Sequence, residues 1–364
     1  MGSIVYGGLD VHKETIVACL IHSSTGEMLQ EEVRNERERL VRAVRRWAEL
    51  GELRLCYEAS GGGYVLKRWL DGEGVHCEVI APSTVLRQAG KRIKTDRRDA
   101  RTLARQYAGG LLSVVRTPSV VEERARAVVR LHDELTRDMT RTKNRILKHL
   151  ARLGLRYEGG HNWTREHRRW LGRLVLAADE ELILRSHLST LDHLQVQLEG
   201  VDERIAALAQ EAPYAQGVAR LMSLRGIGLY SAMVLLTEIG DIRRFARAPQ
   251  LMSYFGLVPS ESSSGEHRRL GSITKAGNSR ARWVLAQAAW NQTRPLRGER
   301  LHKHWQRQPL EVVAVARKAG KRLHQKFWKI ATRTERKIAA TAVARELAGF
   351  VWAILRVEVG ATQA

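Results

Sequence analysis

From Val120 to about Leu153 the chain contains neither proline nor glycine. Leu131, Leu135, Ile146, Leu147 and Leu150 keep an apolar stripe through this otherwise highly charged stretch, the pattern of a long amphipathic helix. Residues 154–163, with three glycines, read as a turn. A second helix is expected from about Glu180 to Gln210, with Leu182, Leu188, Leu191, Leu194, Leu198, Val201, Ile205 and Leu208 on its apolar side and Pro213 stopping it. Two long amphipathic helices around a break make a coiled-coil or helical-hairpin arm, packed within one chain or between chains. The chain therefore divides into three expected domains: 1–115, an arm over 116–212, and 213–364.

The segment before the arm alternates strand-like and helix-like stretches. Tyr6-Gly7-Gly8-Leu9-Asp10 follows an apolar start and precedes Ile16–Ile21, with Gly26 beyond, as in the first hairpin of a sheet. Arg37 to Leu50 carries Leu40, Val41, Val44, Trp47 and Ala48 at helical spacing. Leu53–Glu58 alternates and runs into Ala59-Ser60-Gly61-Gly62-Gly63. Tyr64–Leu70 reads as a short helix and Val75–Ile80 as a strand closed by Pro82. A hairpin followed by alternating helices and strands suits an α/β domain with a mixed sheet flanked by helices, as in an RNase H-like fold.

Four acids fall at telling places. Asp10 ends or interrupts its strand, and Glu58 lies at a strand end facing a glycine turn. In Lys94-Thr95-Asp96-Arg97-Arg98-Asp99-Ala100, Thr95 or Asp96 can cap a helix continuing through Leu103 and Ala104, whose i, i+3 spacing puts Asp96 and Asp99 on one face. Taken alone, that pair could simply neutralise Arg97, Arg98, Arg101 and Arg105 on a solvated face. Two strand-end acids and two on one helical turn also match the needs of two magnesium ions about 4 Å apart in phosphoryl transfer.

Gly8-Leu9-Asp10, Tyr57-Glu58-Ala59-Ser60-Gly61 and Lys94–Ala100 resemble the acidic motifs of DEDD transposases of the insertion-sequence 110 family, whose N-terminal domain is similar to the RuvC resolvase. The resemblance implies a RuvC-like catalytic domain in which Asp10, Glu58, Asp96 and Asp99 hold Mg2+. It continues past the arm, in Gly256-Leu257-Val258-Pro259-Ser260-Glu261-Ser262-Ser263-Ser264-Gly265 and the following Thr274-Lys275-Ala276-Gly277. There the family's catalytic serine, five residues after the proline and before a glycine, falls at Ser264, with Ser263 the runner-up. The family also implies a site composed between protomers of a dimer or tetramer, intermolecular contacts through the arm, target and donor DNA as substrates, and a structured guide RNA encoded by the element.

Charge points the same way. Among 364 residues, 61 Lys and Arg face 39 Asp and Glu, giving +22, and this implies a polyanionic partner, nucleic acid first. The 44% hydrophobic content permits a real core in each domain. No stretch approaches eighteen uninterrupted apolar residues, and Met1-Gly2-Ser3-Ile4 leads straight into a strand, so neither a membrane span nor a signal segment is expected. Cys19, Cys56 and Cys77 form no Cys-x-x-Cys pair and read as buried thiols of a cytoplasmic protein. His302 and His304 lack a second ligand pair for zinc.

The basic surface has several candidate contacts. Arg97 and Arg98 flank the acids, and Arg268, Arg269 and Lys275 flank the serine loop. Leu224-Arg225-Gly226-Ile227-Gly228 looks like a helix-hairpin-helix turn, in which Gly226 and Gly228 let amides approach phosphate, or else a plain turn between helices of a mainly α domain. The run Arg317–Lys329 has six cations, no acid and two aromatics, so Lys321, Arg322, Lys326 and Lys329 suit single-stranded or structured nucleic acid, or form a solvated helix face. Phe350–Val357 is an apolar finish expected to pack on the serine domain.

Three activities fit these residues. The favoured one is a transposase whose Ser264, activated by a base or metal, attacks the scissile phosphate. The others are a RuvC-like junction nuclease in which water attacks, and a nucleic-acid-binding protein without turnover.

Overall fold

The structure, a computed structural model, describes residues 3–86, 95–261, 269–295 and 299–357, less the side chains of 270, 299 and 300. The chain forms two compact units, Met1–Pro118 and Ser119–Ala364.

In the first unit, β1 (Ile4–Val11), β2 (Thr15–His22) and β3 (Met28–Arg34) precede α1 (Arg37–Ala48), β4 (Glu52–Glu58), α2 (Val65–Gly72), β5 (His76–Ile80) and α3 (Asp96–Ala108). The sheet order is β3-β2-β1-β4-β5. The β1-β2 and β2-β3 pairs are antiparallel, whereas β1-β4 and β4-β5 are parallel, so the expected mixed sheet is present. The strand period of two sorts side chains between two layers. Val5, Leu9, Ile16, Ala18, Leu20, Leu53, Leu55 and Tyr57 pack with Leu40, Val44, Trp47, Leu66 and Leu70 of α1 and α2. The opposite face carries Val17 and Cys19 against Ala100 and Ala104 of α3, and Cys56 and Ile80 against Leu103. The three cysteines are free and buried.

The edge strand β3 was not anticipated, nor was its pairing with β2. Its only fully buried side chain is Val33, so it carries little apolar signal. Thr95 is the N-cap of α3 by backbone conformation, without a side-chain capping bond, and Asp96 is the first helical residue.

The second unit begins with α4 (Val120–Arg152), whose Ser119 and Glu122 form a capping box. α5 (Arg165–Arg173) and α6 (Ala178–Leu208) follow. The helices α4 and α6 pack on each other within the chain, with Met139, Ile146 and Leu150 against Leu184 and Leu191 at one end and Ala125 and Val129 near Ile205 and Leu208 at the other. This makes them antiparallel. Leu131 and Leu182, assigned above to the apolar stripes, are instead exposed.

The remaining elements are α7 (Ala215–Leu221), α8 (Leu229–Ile239), α9 (Ala248–Tyr254), a ribbon of β6 (Pro259–Glu261) and β7 (Leu270–Ile273), α10 (Ser279–Trp290), α11 (Glu299–Trp305), α12 (Leu310–Ala331) and α13 (Arg336–Leu355). They share one core. Among the described residues α13 is the one helix long and apolar enough to cross a membrane. It is also the central core helix here, burying Ala339, Val343, Leu347, Val351 and Ile354, and partly buried Phe350, Trp352 and Val357 pack on the same core.

Candidate metal centre and basic surfaces

Gly8 decides how the centre is built. It lies on the α3 face of β1, and a β-carbon there would sit 2.4 Å from both the Ala100 carbonyl oxygen and the Ala104 amide nitrogen, and 2.7 Å from Leu103 Cβ. Only a residue without a side chain lets the α3 backbone lie directly on the strand. Two residues further along the same face comes Asp10, beside the first turn of α3.

Asp10, His12 and Asp96 consequently converge, each offering a ligand atom within 4.8 Å of the others. The His12 ring nitrogen Nε2 is 3.4 Å from both Asp10 Oδ2 and Asp96 Oδ2. The turn carrying His12 is fixed by the His12 amide, which donates to the Thr15 carbonyl at 2.8 Å, and by the Asn35 side-chain amide, which donates to the His12 carbonyl at 2.8 Å. Burial raises the pKa of Asp10; His12 opposes this, and the charges of Asp96 and Asp99 add to it. Three carboxylates thus share one field, and the site favours an added cation.

Glu58 is the last residue of β4. The parallel register runs from Ile4 opposite Glu52 to Leu9 opposite Tyr57, so Glu58 comes one step on, beside Asp10 and on the same face. It is outside the tight Asp10-His12-Asp96 group. A cleft of about 480 Å³, lined by His12, Lys13, Asn35, the glycine turn 60–63 and Trp69, adjoins the His12 side. His12 carries no periodic signal in the sequence, being an isolated histidine; its place two residues past Asp10, just beyond the end of β1, is the available cue.

The expected basic residues divide among several places. Arg97 and Arg98 are exposed in the first turn of α3, and Gln30 donates to the Arg97 carbonyl. Gly226 has φ +84° in the α7-α8 turn, and its missing β-carbon avoids the Ala288 carbonyl oxygen of α10 at 2.7 Å; Gly228 caps α8. Arg225 donates to the Arg294 carbonyl at 2.7 Å, which ties this turn to the segment that follows α10. Lys275 and exposed Arg269 follow or adjoin the β6-β7 ribbon, whereas Ser263, Ser264 and Arg268 lie outside the described residues, as does Lys94. In α12, Arg322 and Lys326 pair with Glu346 of α13, while Lys321 and Lys329 are exposed.

Glu238 was also overlooked. This carboxylate, 3% exposed, accepts from Arg130 Nε and Nη2 at 2.9 and 3.0 Å and from Asn278 Nδ2 at 2.7 Å. Asn278 in turn caps α10 through the Ala281 amide. Glu238 therefore joins α4 and α8 to the end of the Thr274–Asn278 segment.

An acidic centre on a mixed sheet, followed by a helical unit, is compatible with the class to which sequence comparison leads, the DNA transposases. A family model described as "Transposase" of the DEDD, insertion-sequence 110 type matches residues 7–154, and another described as "Transposase IS116/IS110/IS902 family" matches residues 218–306. The protein y4qE of Sinorhizobium fredii, named as a transposase, is 36% identical over 85% of this chain and 77% of its own length. The transposase for insertion sequence element IS1533 of Leptospira borgpetersenii is 31% identical over 89% and 95%, and that for IS1111A of Coxiella burnetii 29% over 64% of each. The chain belongs to the insertion-sequence 110 family of DEDD transposases. Family membership implies DNA as substrate and a divalent metal, with which the Asp10-His12-Asp96 cluster is compatible.

Proposed function

We propose that this transposase cuts and rejoins DNA with Asp10, Glu58, Asp96 and Asp99 holding two Mg2+ ions and Ser264 as nucleophile, on an RNase H-like first unit. The observation that carries the metal assignment is the convergence of Asp10 and Asp96 at 3.4 Å from one imidazole nitrogen, within the field of Asp99. Hard oxygen donors of this kind suit magnesium. When bound, the ions would supply charge stabilisation at the phosphate.

In the protein's part of the reaction, the Ser264 oxygen forms a bond to phosphorus as the bond to one sugar oxygen breaks, and the serine proton is passed on to the departing hydroxyl. The phosphoserine ester keeps the phosphodiester's bond energy, so a second strand's hydroxyl can attack it, restore Ser264 and join without an external energy source. Asp10 and Asp96 would hold the cations against which the phosphate is placed, and Arg97 and Arg98 beside them attract the DNA backbone. Arg268, Arg269, Gly226, Gly228, Lys321 and Lys329 are further contacts of this reading. Joining the serine loop to the acidic centre, within one chain or across a dimer or tetramer, and directing it by a guide RNA, belong to the same proposal, as does a cytoplasmic location.

The test separates chemistry from binding. Asp99→Asn should lose Mg2+-dependent strand cleavage while DNA binding measured in Ca2+ stays within about twofold of wild type. Wild-type cleavage by this variant would remove the metal assignment.

A further inference from the structure

The second unit contains a groove of about 1250 Å³ between α9, the β6-β7 ribbon, α12 and α13. Its floor is apolar, formed by Met252, Leu257, Ile338, Phe350 and Trp352, and Ile338 is 49% exposed. Its rim is cationic. Lys318, Arg322 and Lys326 recur every four residues along one face of α12, facing Arg345 and Lys337 of α13 and Lys275 from beyond β7. Among the described residues six cations therefore line the groove against a single carboxylate, Glu346, whose side chain is 12% exposed. That carboxylate is paired with Arg322 and, at 2.6 Å, with Lys326. The pairing holds two long side chains in place, reducing the rotamer freedom given up when they meet a ligand. Among the described residues no acid pairs with Lys275, Lys318 or Arg345.

A duplex offers phosphates but hides its bases, so it would leave this floor uncovered. An apolar protein partner would leave the rim unmatched. A single strand offers both, since unstacked bases present flat apolar faces and the backbone carries one charge per nucleotide. Pro259 of β6 and Gly271, Ser272 and Ile273 of β7 line one wall, and in the sequence these two strands flank the segment bearing Ser264. Lys275 adopts φ +54°, a conformation uncommon outside glycine, which turns the chain between the ribbon and Asn278.

We infer that this groove is a subsite for single-stranded DNA, seating unstacked bases on the Met252-Leu257-Ile338-Phe350 floor and phosphates on the Lys318-Arg322-Lys326 edge, next to the strand being cut. The inference rests on the reading that the chain cuts DNA. Its role is to hold the freed strand end near the serine loop until rejoining.

The experiment measures binding alone, in EDTA, by fluorescence anisotropy of the full chain. The probes are a fluorescein-labelled dT 12-mer, the same strand with two central abasic sugars, a 12-base-pair duplex and a U 12-mer RNA. Ala342→Trp fills the groove without removing a charge, and Ile338→Asn removes part of the floor at an exposed position. Lys318→Gln with Arg345→Gln thins the rim, and circular dichroism checks all three variants. Wild type should bind the intact DNA strand at least tenfold tighter than the abasic one. Ala342→Trp and Ile338→Asn should shrink that ratio towards one with an unchanged salt slope, while duplex binding changes less than twofold. The rim variant should lower the log-log salt slope by roughly 0.7 for each phosphate no longer neutralised.

Equal binding of intact and abasic strands by wild type would overturn the inference, as would equal losses on single strand and duplex. A base-dependent preference of tenfold or more for RNA would overturn the DNA assignment, and a change of oligomeric mass on filling the groove with dT binding intact would replace it by a second copy of the chain. Ser264→Ala and Asp99→Asn should bind all four probes as wild type does, so failure here is distinguishable from failure of the cleavage reading.

Discussion

Gly8→Ala adds one methyl group and should disable the acidic centre from a position that holds no metal. The new β-carbon would lie 2.4 Å from two backbone atoms of α3, where ordinary contact begins at 3.4 Å, so the helix must retreat by about 1 Å. A backbone helix cannot rotate aside as a side chain does. Its first turn carries Asp96 and Asp99, which would be drawn away from Asp10. Overpacking of this kind costs about 1–3 kcal/mol, and a 1 Å misplacement of reacting groups costs on the order of 100-fold in rate. Gly7→Ala is the control. Its β-carbon would meet the Leu55 and Leu20 methyl groups at 2.4 and 2.8 Å, on the face away from Asp10. Both variants should melt several degrees below wild type, but only Gly8→Ala should lose most of its Mg2+-dependent cleavage at a temperature where both are folded. Wild-type cleavage by folded Gly8→Ala, or equal losses in the two variants, would refute the argument that Gly8 sets the spacing of the acids.

Asp10→Asn should abolish cleavage yet raise the melting temperature in EDTA at pH 7, because burial and the charges of Asp96 and Asp99 disfavour its ionised form; a lower melting temperature would contradict this. Burial pushes the pKa of Glu238 up, but bonds from Arg130 and Asn278 and the charges of Arg130 and Arg126 outweigh it and hold the carboxyl below its ordinary value. Its contribution to stability is thus full above the unfolded-state pKa and is lost as pH falls through the lower folded-state value. Glu238→Gln should flatten the acid limb of a melting-temperature profile below about pH 4.5 and cost near the lower end of ~3–5 kcal/mol, since Arg130 is partly solvated. Neutralising Lys321, Arg322, Lys326 and Lys329 should lower the log-log salt slope of nucleic-acid binding by about 0.7 to 0.9 for each phosphate left without its cation, with the fold checked by circular dichroism. An unchanged slope would leave the run a solvated helix face.

The two long helices are legible in the sequence because each buries one face and so writes its period into the residue order, and the hairpin and the Glu58 strand because burial on both sheet faces gathers their apolar residues into short runs. β3 buries little beyond Val33 and reads as a polar loop. The helix α5, Arg165–Arg173, hides for the same reason, since His167 and Leu171 are its only buried side chains. The acids could be placed at strand and helix ends, but not their convergence through His12, because this depends on the close approach at Gly8. The α12 cations read in sequence as one run. Helical geometry sends Lys318, Arg322 and Lys326 to the groove, while Lys321 and Lys329 take no part in lining it, and the long-range partner Glu346 carries no local signal.

The most direct test of the account is to stop the reaction of wild-type protein with labelled DNA by adding denaturant, and to map any peptide that remains attached to a strand. An adduct on Ser264 is expected, absent from Ser264→Ala, which still binds substrate. Strand cleavage by Ser264→Ala at the wild-type rate, with no adduct in wild type, would contradict it and assign the attack to water.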